Sequence, residues 1–341
     1  MSGRSRMALR LHYLHALSCG EAISQSQRVD LSLILTLNPI VGMLFVVGLF
    51  VWMAFHPHST GALKIFFFIA VWILFGPLSE AIMNAENAAF PFKFDYHLYL
   101  IDRSLGLSAF SIARHFLPWH RSILLVVYDT LGHLMVFWYA MSLRTRDGGS
   151  KQLLLTYLVA YGLAPLFYLI VPACGPRHAF GSMFPLGNPA VGPVPIRLDH
   201  WPNAIPSLHL TTAIVFVYFA GANRFLRSLA WIYLAGTAAA TLAFEHYSID
   251  LVIAVPYAYF AILTAKGQFR PAFCNLALVL AWLVSIRFAT PLLVMYPPIL
   301  RILAAATVIG SAFGAEVARL CRGFKAVERV AGPNPEFRSA E

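Results

Sequence analysis

The sequence predicts an all-α, polytopic transmembrane helical bundle of about nine spans, six of them forming a core. Three observations carry that reading. The chain of 341 residues is 59% hydrophobic and only 12% charged. Its apolar residues gather into blocks long enough to cross a bilayer, which takes about 20 residues per helix, rather than into the stripes of soluble helices. Its basic residues fall in short loops between those blocks and in the tail, so the net charge of +10 reads as a topology signal rather than as nucleic-acid binding.

The elements follow in order. A basic segment, 1–30, carries Arg4, Arg6, Arg10 and Arg28 with no small-residue cleavage pattern behind it, so no removable signal peptide is expected. Residues 31–64 add a first span, Leu31–Phe55, and its loop. The core, 65–270, holds the blocks Ile65–Met83, Ser122–Leu143, Leu153–Val171, Ser207–Ala222, Ser228–Phe244 and Tyr247–Ala265. The region 271–318 contains Phe273–Val317, whose Arg287, Arg301 and central prolines divide it into two short spans, and a basic tail, 319–341, closes the chain. Between Tyr96 and Arg121 the apolar residues Leu98, Ile101, Leu105, Ile112 and Phe116 recur at helical spacing, which predicts a helix lying in the membrane interface with Asp102 and Arg103 on its polar side.

If successive blocks cross alternately, the loops Arg144–Lys151, Asn223–Arg227 and Lys266–Arg270 share the Lys/Arg-rich, cytoplasmic side with the tail. The N-terminal arginines go against this scheme. The loop Pro172–Ile205 and the turn Phe244–His246 then face the other compartment. Four cysteines, Cys19, Cys174, Cys274 and Cys321, lie too far apart for a metal-ligand spacing or a disulfide framework. Neither metal nor cofactor is expected, and the expected partner at this point is the bilayer itself.

Ionisable groups at span ends are costly and therefore draw attention. AIPSLHL places Ser207 and His209 at the start of one span; EHYSID places His246 and Asp250 at the start of another, on the same membrane side. His246 and Asp250 stand four apart, one above the other on a helix face, so the carboxylate can hold one ring nitrogen while the other points outward. Arg177, in VPACGPRHAF, follows a Gly-Pro turn at the bilayer surface, where a planar guanidinium suits phosphate or a lipid headgroup. Two histidines, a serine at a helix start and an arginine make a phosphoryl-transfer constellation. Tyr128, Asp129 and His133, in YDTLGH, are read either as a structural group inside a span or as a headgroup contact.

PSLH, followed 37 residues later by His-x-x-x-Asp, resembles the phosphatidic acid phosphatase type 2 superfamily, and AIPSLH with EHYSIDLVIAVPYA is most similar to its inositol phosphorylceramide synthase, or inositolphosphotransferase-like, branch. The resemblance implies His246 as the nucleophile of a phosphohistidine, Asp250 as its orienting partner, His209 as general acid and Ser207 as a phosphate ligand. It also implies a membrane enzyme acting on lipids at the non-cytoplasmic face, either a phosphotransferase or a phosphatase. Two cations of the strict pattern are missing: Ile170 stands where its first motif has lysine, and Ala239 and Ala240 stand where its third has Ser-Arg. Arg197, Lys93 or Arg121 could supply charge if the outer loops fold over the site. Two rival classes stay open: a non-catalytic lipid-binding protein or transporter on the same fold, and an acyltransferase using His246 as a base.

Overall fold

The computed structural model describes residues 60–116, 118–143, 149–221 and 223–330. The N-terminal segment and the span expected at Leu31–Phe55 lie outside them, as do most of the Arg144–Lys151 loop and the end of the tail.

Eleven α-helices occupy the described residues, together with a two-residue β-ladder and single 3-10 and π turns: α1 Thr60–Ala89, α2 Asp95–Leu105, α3 Ala109–Arg114, α4 Pro118–Ser142, α5 Gly149–Ile170, α6 Pro176–Phe180, α7 Leu208–Phe219, α8 Arg224–Ala240, α9 Ser248–Ala265, α10 Phe269–Met295 and α11 Pro297–Val330. Seven are long and apolar enough to cross a membrane, as the composition predicts. The exception within the core is α7, twelve residues from Leu208 to Phe219, which at 1.5 Å per residue falls short of a bilayer's thickness. It is lodged inside the bundle, with Leu210–Phe216 buried.

The centre of the bundle is α9. Its apolar residues face inward all round, with Ile253, Ala254, Tyr257, Ala258, Ala261, Ile262 and Leu263 fully buried, the pattern of a helix surrounded by other helices. It packs against α5, α7, α10, α11 and α2. The region expected as two short spans forms two long helices instead: α10 runs 27 residues through a kink at Ala289 just before Pro291, and the chain breaks at Tyr296 before the Pro297-Pro298 pair opens α11.

The interfacial helix expected between Tyr96 and Arg121 is corrected by the structure. Two short helices form, separated at Gly106, whose φ of 80° is the left-handed C-cap that glycine adopts without penalty. α2 is not a surface helix, because both of its carboxylates, Asp95 and Asp102, are fully buried. A buried carboxylate demands donors, and these two find them in the segments that carry the candidate site. The strand pair β1 (Phe92–Lys93) and β2 (Ile196–Arg197) ties the start of α2 to the long loop after α6.

Candidate active site

The predicted catalytic and phosphate-binding residues sit at or beside helix starts, and each start has a local reason. α8 ends in a π turn, Thr241–Glu245, closed by the bond from His246 N to Thr241 O at 3.0 Å. The wider turn releases the chain, His246 takes extended geometry at φ −135°, and α9 begins two residues later. The first orphan N–H groups of α9 are satisfied from another helix: Asp102 accepts from Ser248 N at 2.9 Å and from Ile249 N at 3.2 Å, and also from Ala109 N at 3.4 Å. Burial pushes the Asp102 carboxyl well above the usual range, and these backbone bonds oppose the push.

Asp95 performs the matching task one side over. It accepts from Gly175 N at 2.8 Å, from Cys174 N at 3.2 Å and from the Tyr247 hydroxyl at 3.0 Å. It thereby joins the turn before Arg177 to the residue after His246. Gly175 holds φ 88°, a left-handed geometry that brings its N–H to the carboxylate. Burial raises Asp95 to about 6, with the bond from Cys174 N the largest opposing effect.

His246 is buried and fully oriented. Its Nδ1 lies 2.8 Å from Ala204 O and 3.2 Å from Asp250 Oδ2. Both neighbours are acceptors, so the proton belongs on Nδ1 and the lone pair on Nε2. Asp250 Oδ2 also accepts from Tyr247 N at 2.9 Å, which fixes the carboxylate against the backbone it orients. On the other ring nitrogen, Tyr128 Oη stands 3.2 Å from Nε2 and donates to that lone pair. The Tyr128 ring stacks on His209, with centroids 3.6 Å apart and planes 17° apart. One tyrosine thus touches both histidines.

Ser207 is the N-cap of α7, and its Oγ accepts from Leu210 N at 3.4 Å. Its own O–H remains to donate. His209 is half-buried, two residues into the same start. Arg177 lies on α6, which packs against the π turn below His246. Tyr128 thus joins His209 to His246 and Asp250, with Ser207 two residues before His209 and the short helix carrying Arg177 packed against the π turn.

Residues 96–264 match the PAP2 superfamily. The matched segment runs from α2 to the end of α9 and holds both histidine motifs, Arg177 and Tyr128. No curated protein and no solved structure matches the chain. The PAP2 match supports an enzyme of the phosphatase or phosphotransferase type.

Other expected residues lie elsewhere or are engaged in structure. Lys93 is fully buried, and its Nζ donates to Asn87 Oδ1 and Phe90 O, both at 2.8 Å, so it holds the β-ladder end together. Arg197 is exposed on the partner strand. The side chain of Arg121 lies outside the described residues. Asp129 and His133 are half-buried on α4, the helix that carries Tyr128. Among the described residues, no group of three or more His, Cys, Asp and Glu side chains is arranged to hold a metal ion. Sequence reasoning missed the roles of Asp95 and Asp102, whose seven-residue separation puts them on one helical face.

Proposed function

We propose that the protein is a lipid phosphotransferase working through a phosphohistidine at His246, with the phosphoryl-linked group passed to a lipid or polyol hydroxyl. The observation that carries the reading is the Nδ1 environment: Ala204 O and Asp250 hold the proton on that nitrogen and leave Nε2 as a nucleophile. His246 Nε2 attacks phosphorus, the bond from phosphorus to the leaving oxygen breaks, and His209 in its protonated form gives that oxygen its proton. Neutral His209 next takes the proton of the acceptor hydroxyl, whose oxygen attacks phosphorus and breaks the P–N bond. Arg177, the Ser207 hydroxyl and the N–H groups at the start of α7 serve the equatorial oxygens. Tyr128 withdraws from Nε2 when substrate enters.

The resemblance of AIPSLH and EHYSIDLVIAVPYA to the inositolphosphotransferase-like branch favours transfer over hydrolysis; water in place of the hydroxyl makes the same site a lipid phosphatase. The non-cytoplasmic face is favoured because α7 and α9 begin at the site and lead, at their other ends, to the basic groups Arg224, Arg227, Lys266 and Arg270. The test is to incubate purified protein with phospholipid labelled at phosphorus, quench in alkali and map any acid-labile adduct. Label on His246 is the expected result, and supplying ceramide or diacylglycerol as acceptor should move it into a new lipid. Turnover that survives His246→Gln, or transfer of acyl label instead, overturns the proposal.

A further inference from the structure

A cavity of about 220 Å³ opens between α2, α3 and the loop after α6, and none of its lining residues belongs to the site around His246. Tyr99, Arg103, Ser108, Ser111, Arg114 and Asn188 supply its polar wall. That volume is many times the about 10–15 Å³ that a single water needs. Every ionisable cationic or anionic side chain on the wall is an arginine; no carboxylate lines it.

The donors are held in place and left over. Arg114 bonds Pro185 O at 2.7 Å, Leu186 O at 3.1 Å and Gly187 O, which pins the loop as the cavity's far wall, and no carboxylate among the described residues pairs with the guanidinium. The exposed Arg103 guanidinium has the Tyr99 ring as its neighbour, 5.8 Å away, and no carboxylate partner among the described residues. Ser108 precedes α3 but makes no side-chain cap, so its hydroxyl stays available. Asn188 Oδ1 accepts from Tyr99 Oη at 3.3 Å, which turns the amide N–H groups away from that contact. Two guanidinium charges, two hydroxyls and an amide converge on one polar cavity, the donor chemistry of a phosphate site. Leu107 and Leu186, each next in the chain to a lining residue, are 59% and 79% exposed.

We infer that this cavity binds a phosphate-bearing anion, as a second site separate from the one at His246. The chemistry is shared by a phosphomonoester lipid headgroup and by free phosphate, and the exposed Leu107 and Leu186 beside the lining residues fit the lipid. The inference does not depend on the chemistry assigned to His246, and its test runs equally well on His246→Gln protein.

The test uses the arginine reagent phenylglyoxal on the full chain in zwitterionic nanodiscs, with modification mapped by mass spectrometry. Three samples are compared: no addition, inorganic phosphate, and phosphatidate mixed into the disc. Exposed Arg224, at the far end of the bundle, is the internal control. A ligand at about ten times its Kd should slow labelling of Arg103 about tenfold while Arg224 is unchanged, since protection follows 1 + [L]/Kd. Protection by phosphatidate alone identifies a lipid headgroup; protection by inorganic phosphate identifies a soluble anion. Ser111→Phe fills the cavity from an exposed helical position and should abolish the protection, read against the variant's own labelling without ligand. Equal labelling of Arg103 in all three samples overturns the inference, as does protection that persists in Ser111→Phe.

Discussion

Two helix starts carry the two histidines, and they are built differently. α9 begins in a closed socket: His246 is bonded on both ring nitrogens, Asp250 is fully buried, and the first N–H groups are capped by Asp102 from another helix. α7 begins with its own cap, Ser207, and His209 is half-buried, with Tyr128 stacked flat on its ring. The difference matches what the two rings are proposed to do. A nucleophile needs one tautomer and one direction, whereas a group that both gives and takes a proton must be able to exchange it. The largest expected effect tests the first half of that contrast. His246→Gln should abolish turnover and adduct formation, whereas His209→Gln should still accumulate some adduct with an activated leaving group, because only the proton donor is lost. Acid–base assistance is worth about 10²–10⁴ in rate. Equal loss of adduct in both variants breaks the comparison.

Asp250→Asn comes next. The amide can present its N–H to His246 Nδ1 and drive the proton to Nε2, which removes the lone pair from the attacking position. A wrong tautomer of this kind costs about 10⁴ in kcat where a carboxylate orients a catalytic imidazole. KM should move far less than kcat, and a thermal unfolding midpoint near that of the parent would separate tautomer control from damage to the fold. If kcat falls no further than for a distant substitution, Ala204 O alone suffices to orient the ring.

The support beneath α9 gives effects of intermediate size. Asp102→Ala leaves buried N–H groups at Ser248 and Ile249 without acceptors, each such loss costing about 1–3 kcal/mol, so the unfolding midpoint in detergent should fall and activity should fall with it. Asp95 adds a pH dependence. Its carboxyl is raised from 3.8 to about 6 in the folded chain, so its contribution to stability is fully present below about pH 4 and is lost as pH rises through about 6. The loss amounts to about 3 kcal/mol across that window. The stability of the parent relative to Asp95→Asn should therefore decline from pH 4 to pH 7. Curves that run parallel refute the role given to this carboxylate.

These supports mark the boundary of what was legible in the sequence. The bundle could be read from block length, because a bilayer imposes one dimension on every span. The histidine motifs could be read because ionisable groups at span starts stand out against apolar neighbours. Asp95 and Asp102 could not be read correctly: a carboxylate beside Arg103 on an apolar-spaced helix looks solvated, and only the fold brings Ser248 N, Gly175 N and Tyr247 Oη to it. Tyr128 was visible but its place was not, since the contact joins residues 118 positions apart in sequence. The short α7 ran the other way: its apolar continuation to Ala222 matched a full span, while the chain turns at Ala220 and Gly221, where φ is 61°.

Tyr128 is where the two helix starts meet, so it gives the smallest but most discriminating effect. Its hydroxyl donates to the lone pair that the mechanism requires, and its ring covers His209. Tyr128→Phe removes the first contact and keeps the second. A net hydrogen bond is worth about 1 kcal/mol, so the variant should change kcat/KM by less than about tenfold and should react faster with small, activated phosphoesters that cannot displace the hydroxyl. Tyr128→Ala removes the stack as well; it should lower kcat further and shift the limb of the pH–rate profile that reports His209. A profile unchanged in Tyr128→Ala would mean that the stack does not govern His209, and the contrast between a fixed nucleophile and a tyrosine-backed acid would then rest on burial alone.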